Sequence, residues 1–386
     1  MPTPSLILVP ARFKTGKLYT PLATTSGGVV LGASGDFNVT RATTATRVNA
    51  SGLIEVVASG IPRLDYPIGG GCPALLVEPS GTNLALHSRD LTNAVWSGTT
   101  VTTAKNAVGA DGAASGATTI TATAASGTVL QSLSHASQSR VFSAYIRRVS
   151  GTGAIQLTTN GGTNWTTVTI SSLYTQVACA AQTVASGTIG IRLAVSGDVI
   201  EVDFTQGEVG PVATSPIATT TTSATRNADV ITLSGAVSGC IGQTEGTIYA
   251  EVDLRASASS SARRIVNMRV DGSNLLSLEI PTAGTSVEFS AVSGGSSVTA
   301  TASGITTGIY KIAVGYNSAA SGTVLYVNGT LRDTKTIAIP NLSAAVFGLG
   351  VRGDGGAGTQ FNDRIRAAAL YTTRLTNAEL AALTTL

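Results

Sequence analysis

Side chains able to act on a substrate are few in this chain. His87 and His135 are the only histidines. Neither stands in a GxSxG elbow or an HExxH helix, where imidazole serves a nucleophile or a zinc ion. Both sit among Ser and Leu in strand or turn contexts, where a hydrogen-bonded structural role accounts for them. Asp198, Glu201, Asp203 and Glu208 crowd one segment, and the two-residue spacing of Glu201 and Asp203 puts them on one strand face. Paired carboxylates can cleave polysaccharide, but no long repeat of the β-helix kind accompanies them. The reading is a chain without catalytic residues: not an enzyme, with no cofactor and no metal site.

Other short patterns dissolve on the same test. Gly348, Gly350 and Gly353 spell GxGxxG, but loop and strand follow where a dinucleotide site needs a helix N-terminus. Arg352, Gly353 and Asp354 spell an adhesion tripeptide that chance supplies cheaply. The loops around Asp271 and Asp354 are read as Asp-Gly turns rather than calcium sites. Cys72, Cys179 and Cys240 lie far apart, in no metal-ligand spacing, and each reads as a small buried hydrophobe. What remains is recognition. Sugar binding needs an exposed aromatic face with hydrogen-bonding groups around it. Trp165, beside Asn164 and with Tyr174 and Tyr145 nearby in sequence, is the candidate glycan contact. The competing role for Trp165 is a place in the core, because aromatics make up only 5% of the chain.

The elements that must carry these residues are strands. The chain is rich in Gly, Thr, Ser, Ala and Val, and only 12% of it is charged. Long amphipathic helices need more Leu, Glu and Lys than it holds. The expected fold is all-β: tandem antiparallel sandwiches with a short C-terminal helix. Twenty-four basic residues against twenty-one acidic ones give +3 without clusters, which argues against nucleic acid as a partner. The apolar run from Leu6 to Val9, between prolines, is shorter than a signal core or a membrane span, so no membrane partner is expected.

Three parts are expected along the chain. Residues 1–81 read as an extended N-terminal module, with Pro2, Pro4 and Pro10 blocking helix, Lys14 and Lys17 flanking a turn at Gly16, and Gly-rich turns at 32–36 and 69–71. Residues 82–229 carry short strand runs at regular spacing, the pattern of a sandwich rather than of βαβ units. Residues 230–386 hold an Asn328-Gly329 hairpin turn and a capping-box pattern at Thr376 and Glu379, with Leu375, Leu380 and Leu383 able to fold back onto a sandwich.

Several ordered motifs carry a resemblance. Thr40, Arg41 and Ala45 to Val48, then Gly52 to Glu55, Pro62 to Tyr66, Leu75 to Pro79, Thr82 to Leu84 and Trp96 resemble a module of tailed-bacteriophage virion proteins. The run Gln206, Glu208, Gly210, Ala213, Thr214, Ser215, Ile217, Thr219, Thr225, Arg226, Ala228 and Asp229 resembles the closing pattern of carbohydrate-binding-like jelly rolls found in phage proteins. The last part resembles concanavalin-like or laminin-G-like sandwiches, though the exposed Trp of that family is missing. The resemblance implies a virion structural protein, a fibre or decoration appendage anchored by residues 1–81 as a virion-attachment module, assembled in the bacterial host cytoplasm and localised to the virion. Its implied partners are capsid or tail subunits, further copies in a homotrimer, and host or mucus glycans. A ligand-free capsid cement or collar piece is the alternative, and a polysaccharide depolymerase a more distant one.

Overall fold

The computed structural model describes residues 2–10, 12–19, 36–234, 239–255 and 261–386. Its architecture is antiparallel β throughout, with tandem sandwich-like pairs of sheets and a short C-terminal helix.

The middle lobe pairs a five-stranded with a six-stranded sheet. The smaller sheet runs, in spatial order, Ser97–Thr99, Gly127–Ser132, Thr188–Leu193, Ile155–Thr158 and Thr166–Val168. The larger is centred on the long strands Gln138–Ser150 and Val199–Val209. Alternation decides which side chains meet between them. Val129, Ile155, Leu157, Ile189, Ile191 and Leu193 point inward from one sheet against Ile120, Phe142, Ala144, Ile146, Ile200 and Val202 of the other. Trp96 closes one end of this core and donates its indole N–H to Leu86 O at 3.1 Å.

The C-terminal lobe packs an eight-stranded sheet on a nine-stranded one. Its core includes Ile248, Val252, Ile312 and Val314 from the first sheet and Val266, Met268, Leu276, Leu278, Phe289 and Phe347 from the second. The hairpin turn forms as expected, with Asn328 and Gly329 both at positive φ and Val327 paired to Thr330. Helix Asn377–Thr384 starts with the expected capping box, Thr376 N–H donating to Glu379 and Glu379 N–H to Thr376 Oγ1. Leu375 and Leu380 are buried against Tyr326 and Tyr371, and Leu383 packs beside them.

Among the described residues of 1–81, extended strands lie along this chain's own sheets. Strand Leu6–Leu8 pairs with Asp363–Tyr371, as does Ala74–Val77, which in turn carries Arg63–Asp65. Phe37–Thr40 pairs with Val230–Leu233 in the other sheet. The cause is apolar. Leu6, Leu8, Phe37, Val39, Leu64, Leu75 and Val77 all point into the C-terminal core. A free arm would leave that face in water, at roughly 1.5–3 kcal/mol per large side chain. The turn at Gly16 forms, at positive φ between Phe13–Lys14 and Lys17–Leu18. The expected turn at 32–36 lies, apart from Asp36, outside the described residues. Among the described residues no helix is long and apolar enough to cross a membrane.

Candidate functional site

The outer face of the five-stranded sheet gathers the polar groups with hydrogen-bonding capacity left over. Register places Thr99, Thr128, Arg192, Gln156 and Thr167 side by side, one from each strand. Their sequence neighbours Val129, Ile191, Leu193, Ile155 and Leu157 face the core, so alternation alone turns this row outward. Arg192 Nε donates to Gln156 Oε1 at 2.7 Å, and Gln156 Nε2 donates to Thr167 Oγ1 at 3.1 Å.

Trp165 stands at the end of this row. It is part-exposed and absent from the core, so the competing core role does not hold. The Arg192 guanidinium lies 4.5 Å from its ring centroid, a cation–π contact on one face. The turn that presents the ring is built locally. Asn160 Oδ1 accepts from Asn164 N–H at 2.9 Å, and Thr158 Oγ1 accepts from Gly162 N–H at 3.1 Å. Gly162, at φ 91°, lies so close under the indole that a Cβ there would fall 2.9 Å from Cζ2. Asn164 is exposed beside the ring.

A groove of about 680 Å³ opens on the same lobe, lined by Leu86, Leu130, Ser132, His135 and Thr188 among others. Thr188 links it to the Trp165 turn, because its carbonyl accepts from Gly161 N–H at 2.8 Å. Burial, then the nearby Arg140 charge, lowers the His135 pKa, which favours the neutral ring.

Tyr174 is not part of this face. It adjoins strand Thr175–Ala178, which belongs to the opposite sheet, and its hydroxyl bonds to Val108 O at 3.0 Å and to Glu201 at 3.2 Å. Arg147 covers its ring, with 4.8 Å to the centroid. Tyr145 is buried edge-on against Phe204. The sequence brings these aromatics close, but the chain crosses from one sheet to the other between them.

The acidic segment is divided among separate partners. Glu201 pairs with Arg147 at 2.5 Å and Asp203 with Arg89 at 2.8 Å. Asp198 accepts from Gly153 N–H at 3.3 Å, and Glu208 accepts from Thr214 N–H at 2.8 Å. Asp271 accepts from Ser273 N–H at 2.7 Å and closes an ordinary turn. Among the described residues, no three His, Cys, Asp or Glu side chains converge as metal ligands. Cys179 and Cys240 are buried as expected, but Cys72 is exposed, carried outward by the glycine turn before it.

The motif residues converge elsewhere, at the junction of the lobes. Arg63 bonds Glu78 at 2.6 Å and also pairs with Asp229, which takes Arg41 at 2.8 Å. Arg226 pairs with Glu78, and Ser215 donates to Glu78 at 2.6 Å. All of these side chains are buried. Burial opposes the Glu78 charge, but Arg226 and Arg63, with Ser215, overcome it and hold its pKa down to about 2. Strand pairing of Gly81–Asn83 with Ala224–Arg226 ties the same two stretches together.

Residues 225–381 match the family described as the concanavalin A-like lectin/glucanases superfamily. The matched stretch lies within the C-terminal lobe. Among solved structures, the CBM40 of the Ruminococcus gnavus IT-sialidase is 19% identical, with a TM-score of 0.33 over 38% of this chain and 85% of that one. Domain 4 of AbnA, a GH43 extracellular arabinanase from Geobacillus stearothermophilus solved with arabinotriose, is 17% identical, with a TM-score of 0.33 over 41% and 73%. Curated proteins show no match to the chain. Within the C-terminal lobe, Gly348, Gly350 and Gly353 are followed by loop, and a Cβ on Gly350 would fall 2.8 Å from Val77. Close packing accounts for that glycine.

The sequence did not single out Arg192 and Gln156. Their signal was present: one polar residue between two apolar ones, in Ile191-Arg192-Leu193 and in Ile155-Gln156-Leu157.

Proposed function

We propose that this chain is a non-enzymatic structural protein of a tailed-bacteriophage virion, a fibre or decoration appendage that makes weak, multivalent contacts with glycans on the host or around it. The glycan reading rests on one observation, the row of outward polar side chains ending at the part-exposed Trp165. Gln156, Arg192, Thr128 and Thr167 offer donors and acceptors to sugar hydroxyls, and the uncovered part of the indole offers an apolar face to sugar C–H groups. Asn164 adds a polar group at the rim. Tyr174, held by Arg147 and Glu201 on the other sheet, takes no part at this face.

The virion setting is supported by the motif order from Thr40 to Trp96 and from Gln206 to Asp229. Single contacts of this kind are weak. Copies arranged as a homotrimer, and many such units on a particle bound to capsid or tail subunits, would multiply them. Residues 1–81 would anchor the chain in the particle, and 82–229 and 230–386 would form its two sandwich lobes.

A ligand-free cement or collar role is the second reading. It is favoured by the buried arginine–carboxylate junction, which commits the motif residues to holding the lobes together.

Antibody labelling of purified virions by electron microscopy, with a host-adsorption assay alongside, tests both. Label at fibre tips and adsorption blocked by the free protein, but not by Trp165→Ala, is the expected result. Label over the capsid with adsorption unaffected selects the cement reading. Virions without label remove the virion setting altogether.

A further inference from the structure

A second recess lies apart from the Trp165 face, between the lobes. It holds about 350 Å³, near the low end of the roughly 300–1,000 Å³ of small-molecule sites. The N-terminal stretch lines it with Arg47 and Asp65, the middle lobe with Tyr145 and Gln176, and the C-terminal lobe with Asn362 and Arg364.

The hydrogen bonding of this lining is lopsided. Its carboxylates are already engaged. Asp65 accepts from Val48 N–H at 2.8 Å and from Arg364 Nε at 2.6 Å. Glu78 accepts from Arg63, Arg226 and Ser215. Asp363 accepts from Arg255 N–H and from Arg263. Other groups of the lining are not matched in the same way. Arg364 makes its one side-chain bond through Nε, so its terminal nitrogens retain their capacity among the described residues. Tyr145 has a ring packed on Phe204 and a hydroxyl without a hydrogen-bond partner among the described residues. Asn362, at φ 55°, is a non-glycine residue held in the left-handed region, and its Oδ1, an acceptor, has no partner among the described residues. A planar guanidinium with two open nitrogens matches the geometry of a carboxylate. A phenol and an amide beside it match hydroxyl groups.

We propose that this inter-lobe recess is a binding site for a small hydroxylated carboxylate of the size of one acidic sugar, with the carboxylate on the terminal nitrogens of Arg364 and a hydroxyl or ring oxygen on Tyr145 Oη. The site needs all three stretches of chain, so an occupant also bridges the lobes.

The test titrates the full chain with sodium D-glucuronate, using D-glucose and acetate as controls, by calorimetry and by amide chemical shifts. Saturable binding of glucuronate is expected, at least about tenfold tighter than either control. Tyr145→Phe keeps the ring and removes only the hydroxyl. Arg364→Lys keeps a charge beside Asp65 and removes the planar fork. Each is expected to weaken glucuronate about tenfold, and if the lysine variant fails to fold the phenylalanine variant still decides. Absence of saturation at millimolar glucuronate would overturn the proposal, as would equal binding of glucose or an unchanged affinity in Tyr145→Phe. Trp165→Ala is expected to leave this binding intact. Loss of glycan adsorption at the Trp165 face and loss of glucuronate binding here are therefore separate outcomes.

Discussion

At the lobe junction, arginines and carboxylates pair with one another away from water, with only Nε of Arg63 and of Arg226 left without a partner among the described residues, whereas the polar groups on the outer face of the five-stranded sheet open to solvent. Arg41, Arg63 and Arg226 enclose Glu78 and Asp229 with almost no water access. Arg192, Gln156 and Thr167 form a short chain of hydrogen bonds and then open to solvent. The same residue types thus serve opposite ends. A buried arginine with its carboxylates fixes how two parts of a chain meet. An arginine at the surface beside an indole prepares a face for something else.

The largest effect is expected at Arg63. Arg63→Met removes the group that joins Glu78 to Asp229 and leaves both carboxylates buried with fewer partners. Breaking a buried ionic set in this way costs about 3–5 kcal/mol. Urea unfolding monitored by tryptophan fluorescence is expected to show that loss. A change under about 1 kcal/mol would show that the junction is not what holds the lobes together.

Acid probes the same set without mutation. Glu78 titrates near 2 in the folded chain, below its ordinary value, because Arg226 and Arg63 outweigh the opposing effect of burial. A lowered carboxylate contributes stability above its unfolded pKa and loses it as pH falls through the folded one. A shift of that size corresponds to roughly 3 kcal/mol. Stability is therefore expected to fall between about pH 4.5 and pH 2, with a smaller fall in Glu78→Gln, when thermal unfolding is followed across that range.

Glu208 should behave in the opposite sense. Burial raises its pKa, and the bonds from Thr214 and Gln206 do not fully offset this. Between the unfolded and folded pKa values, the folded chain holds a proton that the unfolded chain has released. That contribution is complete below the unfolded pKa and is lost as pH rises through the folded one. Glu208→Gln removes the titration while keeping an acceptor for Thr214 N–H. The variant is expected to be more stable than the parent at pH 8 and equal to it at pH 4. A parent that is as stable as the variant at both values would refute the sign.

How much of this was legible in the sequence differs between the two regions. The strands, the Asn328-Gly329 turn and the capping box at Thr376 are local patterns, and a few neighbouring residues suffice to specify them. Arg63 and Asp229 lie 166 residues apart, and no periodicity reports that they meet. The motifs marked them as a set without saying that they touch. Leu6 and Leu8 likewise read as an extended apolar stretch, but the strand that receives them is near the opposite end of the chain. Trp165 and Tyr174 fail in the reverse way. They are close in sequence, and the crossing between sheets separates them.

The smallest effect on stability is expected at Trp165. The ring lies outside the core, and Trp165→Ala removes one cation–π contact and part of an exposed surface. A contact of that kind contributes about 0.5–1 kcal/mol at an exposed site, well below the loss expected at Arg63. Binding should respond differently. If the indole is the apolar surface for sugar C–H groups, the alanine variant loses adsorption to host glycans while its unfolding curve barely moves. Arg192→Lys separates the two parts of that face, because it keeps the charge and removes the planar stack and the bond to Gln156. Adsorption weakened by both variants assigns the function to ring and guanidinium together. Adsorption indifferent to both, with stability unchanged, would make the outer row no more than a wetted sheet face and leave the junction as the chain's principal use of arginine.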